Sequence, residues 1–448
     1  MRNFARLLIL FCGLSASCPG ETNVTKLRIA TFNIAMGLPE SGMLGEKLTH
    51  GQNSRLQQVA EILQRVRPDI VVLNEFDYDP GYDAASLFNE KYLSRGWNGQ
   101  QAIHYPYYYR NEVNTGMDSG LDLDGNGTTG DPQDAWGYGS FPGQYGMLVL
   151  SRFPIRQEAV RTFQYFPWAS LPAANRPLNS DGSSFYSDAT WKQLRLSSKS
   201  HWDLPIDIDG RVLHLLVHHP TPPVFDGPED RNGKRNFDET RFWLEYLGPG
   251  NKDFIVDDQG KAGGLNQAAT FIIAGDLNAD PHDGDSIRAD TRGLLNEDTH
   301  DLLNEDTHDL LNEDTHDLLN EDTHDLLNED THDLNSISNT HISDLMAGAI
   351  GQLLAFPLIN ASCTPLSSGG REASKVQGGI NRQNKGDSAA DTSDFNDDRI
   401  GNLRLDYVLP SKTLSVSGCG VFWPATGEDG HHLADASDHR LVWLDISL

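Results

Sequence analysis

Eight polar residues stand at or beside the ends of short apolar runs in this chain of 448 residues: Asn33, Glu75, His219, Asp276, Asn278, Asp406, Asp438 and His439. Four carboxylates, two amides and two imidazoles brought to one rim would destabilise one another unless a cation or shared protons held them. A hard divalent metal with oxygen ligands suits that set. Zinc of the structural kind does not, because the cysteines and histidines lack zinc-finger spacing. Hydrolysis of a phosphate ester needs an in-line nucleophile, a group that positions it, and positive charge or donors on the equatorial oxygens and leaving group. Metal, Asp, His and Asn supply those parts, and no segment presents a Ser or Cys in a covalent-nucleophile setting.

The elements that must carry these groups are short and rich in β-formers. KLRIATFNIA (26–35) alternates as a strand does, and DIVVLNEFD (69–77) is an apolar run of buried-strand type. Between them Asn53 or Ser54 caps a helix in which Leu56, Val59, Leu63 and Val66 recur at helical spacing, up to the stop at Arg67-Pro68. Further strands are expected in YGMLVLSRFPI (145–155), RVLHLLVHHP (211–220), FIIAGDLN (271–278), LRLDYVLP (403–410) and SDHRLVWLDISL (437–448). Stretches 111–144 and 366–402 are rich in Gly, Asp and Ser, and the second reads as an extended surface loop. One catalytic domain over 26–448 is the simplest partition.

TFN (31–33), PDIVVLNE (68–75), GMLVLSRFPI (146–155), GDLN (275–278), LDYVLP (405–410) and SDHR (437–440) together resemble the ordered motif set of the endonuclease/exonuclease/phosphatase superfamily. HPTPPVFDGPEDRNG (219–233) looks like a segment of its exported bacterial subgroup. The resemblance implies an α+β fold, a four-layer αββα sandwich, with a metal-dependent phosphoesterase site on one edge. It implies that Glu75 ligates Mg²⁺ or Mn²⁺, with Ca²⁺ as an alternative, and that Asn33 and Asp438 assist. Asp276 would activate the attacking water, Asn278 would orient the phosphate, and His439, oriented by Asp406, would contact it. His219 matches the central histidine, as general acid or oxyanion donor, with His218 the competing position.

Around this set the signals are softer. Arg231, Lys234, Arg235 and Arg241 follow His219 and form either a phosphate-binding loop or a solvated helix start. Lys199 and His201 are candidates for the neighbourhood of the site. LDLDGNGTTGD (121–131) has part of a calcium-loop pattern in Asp122, Asp124 and Asn126, but Gln133 occupies the twelfth position, so a Gly-rich turn is expected.

Residues 1–17 read as a secretory signal peptide: Arg2 and Arg6, an apolar run, then small residues. Export to the periplasm or beyond is expected, with lipid anchoring at Cys18 an alternative. Cys363 and Cys419 can then pair or remain buried thiols. The formal net charge is -29, which argues against a surface built to grip long polyanions. About half of that charge comes from the octad LLNEDTHD, repeated five times without change over 294–333. An eight-residue period drifts by roughly 80° per repeat on a helix, so no apolar stripe forms, and the array reads as an acidic, disordered loop expansion. The expected protein is an exported, monomeric phosphoesterase acting on small or lipid-linked esters, with no obligate protein partner. An extracellular nuclease and a non-catalytic binder of cations or partners on the same fold are the alternatives.

Overall fold

The computed structural model describes residues 25–282 and 348–448. The segment 1–17 read as a signal peptide, Cys18 and the octads at 294–333 lie outside the described residues.

Two sheets lie face to face. The first has strand order β10-β11-β1-β2-β4-β3 and the second β5-β6-β7-β8-β9. The first comprises β1 (Lys26–Met36), β2 (Ile70–Phe76), β3 (Tyr107–Tyr109), β4 (Met147–Ser151), β10 (Ser415–Phe422) and β11 (Leu441–Ser447). The second comprises β5 (Arg161–Thr162), β6 (His201–Ile208), β7 (Arg211–His218), β8 (Thr270–Asp276) and β9 (Asp406–Pro410). Successive side chains of a strand point to opposite faces, and this sorts the core into layers. Leu27 and Ile29 of β1 and Ile70 and Val72 of β2 point into the gap between the sheets, against Leu213, Leu215, Ile272 and Ala274. Ala30, Phe32, Val71 and Leu73 point outward. There they meet α1 (Met43–His50), α2 (Ser54–Val66) and α3 (Ala84–Phe88). The second sheet turns Leu216, Phe271 and Ile273 outward against Phe242, Trp243 and Tyr246 of α5 (Arg231–Leu247), with α4 (Asp188–Trp191) lying earlier in the chain. Ile350 and Leu353 of α6 (Ala349–Leu354) complete that layer. The fold is a four-layer αββα sandwich.

The predicted helix forms as α2: Asn53 Oδ1 accepts from Leu56 N at 2.9 Å, satisfying one orphan amide of the first turn. Its end at Arg67, with φ 53°, precedes Pro68, whose ring disfavours helical backbone before it. Strand β6 was not anticipated. It alternates Trp202, Leu204, Ile206 and Ile208 inward, but Pro205 argues against a central strand. The structure resolves the conflict: β5 pairs only with Trp202 and Asp203, and beside Pro205 the neighbour is the isolated Ile155–Ile206 bridge, where Pro205 contributes its carbonyl, accepting from Arg156 N at 2.8 Å, rather than an N–H.

Stretch 366–402 departs from the expected extended surface loop. It contains α7 (Ser368–Gln377) and further short turns, and it folds onto the sheet edge through Thr392 Oγ1, which donates to Asp406 Oδ2 at 2.8 Å. Polar composition concealed this because the stretch is held by hydrogen bonds rather than apolar burial. Cys363 and Cys419 form a disulfide spanning 56 residues, which ties the chain before α7 to the edge strand β10. A crosslink closing a loop of that length restricts the unfolded chain. Cys419→Ala is expected to lower stability by about 2–4 kcal/mol, read as an earlier chemical-denaturation midpoint; an unchanged midpoint would remove the bond's stabilising role.

Candidate active site

Strand direction explains why distant residues converge. β1 and β2 run parallel, so Asn33 and Glu75 reach the same edge. β11 runs antiparallel to β1, so the turn entering it brings Asp438 and His439 there. In the second sheet β7 and β8 are parallel, delivering His219 and Asp276. β9 runs back along β8 with Asp406 opposite Asp276. The edges of both sheets therefore share one rim.

Glu75 and Asn278 adopt left-handed backbone, with φ 55° and φ 49°. That conformation is costly for Glu, and such strain concentrates where a side chain must be aimed. Gly275 is required by close approach, since a Cβ there would stand 2.1 Å from the His218 carbonyl oxygen. The strands carrying the two groups meet with no room for a side chain between them.

Asp276 lies at the centre. Its Oδ2 accepts from Asn33 Nδ2 at 3.0 Å and its Oδ1 from Asn278 N at 2.9 Å. His219 Nε2 stands 3.4 Å and His439 Nε2 3.6 Å from Oδ2. Burial alone would raise the Asp276 carboxyl, but the imidazole of His439 and the hydrogen bond from His219 outweigh it and hold the group well below the usual carboxylate range. His439 Nδ1 bonds Asp406 Oδ2 at 2.8 Å. Burial opposes a charged His439, yet Asp406 and Asp276 prevail and keep it an imidazolium well above the ordinary value. Asp406 itself is pushed up to about 6, by burial first and against the pull of His439.

The two histidines that the sequence left in competition separate cleanly. His218 Nδ1 accepts from Trp243 Nε1 at 2.7 Å inside the α5 layer, whereas His219 faces Asp276 and lines the cavity. Burial, reinforced by Lys199, holds His219 down at about 4, so it is neutral near pH 7. A neutral imidazole there donates an N–H and has no extra proton to give.

Glu75 and Asp438 line the same cavity. Burial raises Glu75, and the charge of Asp438 raises it further. Among the described residues, no cationic side chain lies within ion-pair distance of either. Two adjoining carboxylate groups without a counter-ion form the oxygen donor set a hard dication requires. Asp276, Asp406 and His439 also lie close enough together to share an ion. His439 Nδ1 is committed to Asp406 and its Nε2 faces Asp276 at 3.6 Å, so Glu75 and Asp438 are the better metal donors. Asn33 turns Nδ2 to Glu75 Oε1 at 3.1 Å as well as to Asp276, while its Oδ1 accepts from Ala35 N at 3.0 Å. In this arrangement it holds two carboxylates in place.

The cavity measures about 340 Å³ and is walled by aromatic groups, among them Tyr138, Tyr145, Trp168, Tyr186, Phe225 and Phe395. Phe395 also packs edge-on against His439, with centroids 5.4 Å apart. Sequence reasoning missed Phe395 and Thr392 because both lie in the stretch read as an exposed loop. Of the softer candidates, Lys199, Arg231 and Arg235 line the cavity. His201 does not: it stacks on His218 at 4.9 Å and bonds Ser197 and Glu239. Lys234 donates to the Glu229 carbonyl and Arg241 to Asp238. The 121–131 segment forms turns in which Asp122 accepts from Gly125 N and Gly127 N, and Asp134, just beyond it, accepts from Leu123 N and Gly130 N; Asp122, Asp124 and Asp134 also lie close enough together to share an ion.

A model of the Endonuclease/Exonuclease/phosphatase family matches residues 30–439, a span that takes in all eight site residues. No curated protein matches the chain. Among solved structures it is similar to a family member from Beutenbergia cavernae DSM 12333, at 15% identity and TM-score 0.43, over 94% of this chain and 72% of that one. Another family member, from Leptotrichia buccalis C-1013-b, is 13% identical with TM-score 0.41, over 93% and 98% of the two chains. Sphingomyelinase C from Streptomyces griseocarneus is 14% identical with TM-score 0.39, over 94% and 99%. By the match that takes in the whole rim, the chain belongs to the endonuclease/exonuclease/phosphatase family and is a metal-dependent hydrolase of phosphate esters.

Proposed function

We propose that the protein is an exported phosphoesterase that cleaves compact or lipid-linked phosphoesters by in-line attack of water, using Mg²⁺ or Mn²⁺. The observation that carries this reading is Asp276, an ionised carboxylate oriented by four neighbours and facing the cavity beside Glu75 and Asp438. A carboxylate held so low is a weak base, so Asp276 orients the water's lone pair toward phosphorus and accepts its proton as the bond forms. His439, as a cation, faces an equatorial oxygen, and neutral His219 donates its N–H to another. Asn278 orients the phosphate, and Glu75 and Asp438 would hold the ion. When bound, the divalent ion supplies positive charge to the phosphoryl group and lowers the proton affinity of water.

Substrate preference is read from the cavity. Its aromatic walls include Trp168, which is only 2% exposed, and such a recess suits a small apolar or aromatic group better than a long polyanion. The net charge of -29 points the same way. Export is supported by the leader pattern and by the Cys363–Cys419 bond, which fits an oxidising compartment. No helix among the described residues is long and apolar enough to cross a membrane.

The test is hydrolysis by the purified chain of aryl mono- and diesters, inositol phosphates, sphingomyelin, RNA and plasmid DNA, with Mg²⁺, Mn²⁺, Ca²⁺ or chelator. Chelator-sensitive turnover of the compact or lipid esters is expected. Preference for DNA would replace the substrate reading with the nuclease one, and no turnover of any ester would favour the binding-protein alternative. In the same assay Glu75→Gln is expected to raise the Mg²⁺ concentration for half-maximal rate by about 10–100-fold, the range seen when a metal site loses a supporting contact. An unshifted Mg²⁺ dependence would remove Glu75 from the metal site.

A further inference from the structure

We propose that Lys199 is a catalytic residue whose ammonium binds a non-bridging oxygen of the scissile phosphate, an inference that rests on the phosphoesterase reading above. Lys199 is 5% exposed and lines the cavity that also contains Glu75, Asp276, His219 and His439. Burial lowers the proton affinity of its amine, and the carboxylates of Glu75, Glu239 and Asp276 oppose that shift. Among the described residues, none of them lies within hydrogen-bond or ion-pair distance of its Nζ. Burying an ammonium without a direct partner is costly, and a lysine free to reach water would do so. Here the carboxylates stabilise the charge from a distance and leave its donors open to the cavity.

The backbone fixes this placement. Glu239, on α5, accepts from Ser198 N at 2.5 Å and from Thr221 N at 2.8 Å, clamping together the segments that carry Lys199 and His219. Ser198 Oγ donates to the His219 carbonyl at 3.3 Å, and Asn114 N donates to the Lys199 carbonyl at 2.9 Å. Buried Glu239 therefore positions Lys199 relative to the reacting groups.

Of the other cations along the wall, Arg399 is exposed, and the more enclosed arginines have partners. Arg235 donates to the carbonyls of Trp136, Arg195, Leu196 and Ser197. Arg231 is paired with Glu229. Arg195 donates to Asn114 Oδ1 and lies over the rings of Trp136 and Tyr165. Lys199 is thus the cavity-lining buried cation, among the described residues, whose donors are not already used.

A transferring phosphoryl group spreads negative charge over its equatorial oxygens. Sites with two metal ions neutralise it from both sides. In this rim the carboxylate pair Glu75 and Asp438 provides for an ion, and Lys199 supplies a second, fixed positive charge. It exchanges no proton: the water oxygen bonds to phosphorus as its proton passes to Asp276, the phosphorus–leaving-oxygen bond breaks with its electron pair going to the leaving oxygen, and Lys199 only stabilises the charge that develops on the non-bridging oxygen.

Two measurements on the purified full chain test this. One is kcat/KM with the best ester of the panel, and the other is calorimetric titration with inorganic phosphate in the presence of Mg²⁺. Lys199→Met is expected to lower kcat/KM by about 10²-fold or more and phosphate affinity by about tenfold or more, with Mg²⁺ affinity no weaker than wild type. Lys199→Arg should recover part of both. Phosphate affinity unchanged in Lys199→Met would overturn the proposal, and so would a parallel loss of Mg²⁺ affinity, because Lys199 would then act through the metal site. If Lys199→Met does not fold, Lys199→Gln replaces it with the same expectations. Failure of the wild type to hydrolyse any ester would refute the proposed function, while phosphate titration would still decide the role of Lys199.

Discussion

Asp276→Asn is expected to reduce kcat by about 10³-fold, within the range for loss of a positioned acid–base group. At room temperature this corresponds to about 4 kcal/mol of transition-state stabilisation. The carboxamide nearly preserves the shape of the side chain but removes its negative charge and presents an N–H₂ where Oδ2 now accepts from Asn33. Water would then lose its acceptor, and His439 would lose one of the two carboxylates that keep it protonated. Measuring Mg²⁺ affinity in the same variant distinguishes this role from metal ligation. If Glu75 and Asp438 hold the ion, Asp276→Asn keeps its Mg²⁺ affinity while turnover falls. A variant that still hydrolysed ester at the wild-type rate would show that another group positions the water.

The reason the rim was legible in sequence is local: its residues sit at strand termini, next to apolar runs whose alternation reveals the strands. FIIAGDLN is an example, with Ile272 and Ala274 turned between the sheets and Asp276 next on the same face. Strand order was not accessible in that way. That β9 and β11 run antiparallel to their neighbours, and so bring Asp406 and His439 back to the same edge, depends on pairing between distant segments.

The walls were harder to read for a different reason. Tyr138, Phe395 and Thr392 occupy stretches rich in Gly, Asp and Ser, where no periodicity marks them. They reach the site through long-range hydrogen bonds, such as Asp394 N to the Asp438 carbonyl at 2.8 Å and Arg440 Nη2 to Asp394 Oδ2 at 2.7 Å. Lys199 was distinguishable only as a candidate, because the pattern that would have anchored it, strand β6, was obscured by Pro205. The cavity walls thus come largely from the segments whose placement owes least to local sequence.

His439→Ala is expected to lower kcat/KM by about 10²–10³-fold, the usual effect of removing one donor from a preorganised charge-stabilising site. The imidazole connects Asp406 to Asp276, at 2.8 Å on one side and 3.6 Å on the other. Removing it leaves two buried carboxylates facing each other without the cation between them. Asp406→Asn separates charge from position. It keeps a side chain of similar shape beside Nδ1 but withdraws the negative charge that most strongly favours protonated His439. A group whose folded value is raised contributes stability that is complete below its unfolded value and is lost as pH rises through the folded one. For His439 this window opens above the ordinary histidine value. Asp406→Asn should narrow it, moving the alkaline decline in both activity and stability to lower pH. If His439 served only to fill space, His439→Gln would retain most of the activity and Asp406→Asn would leave the alkaline limb where it is. Loss of rate together with a shifted limb requires a cation at this position.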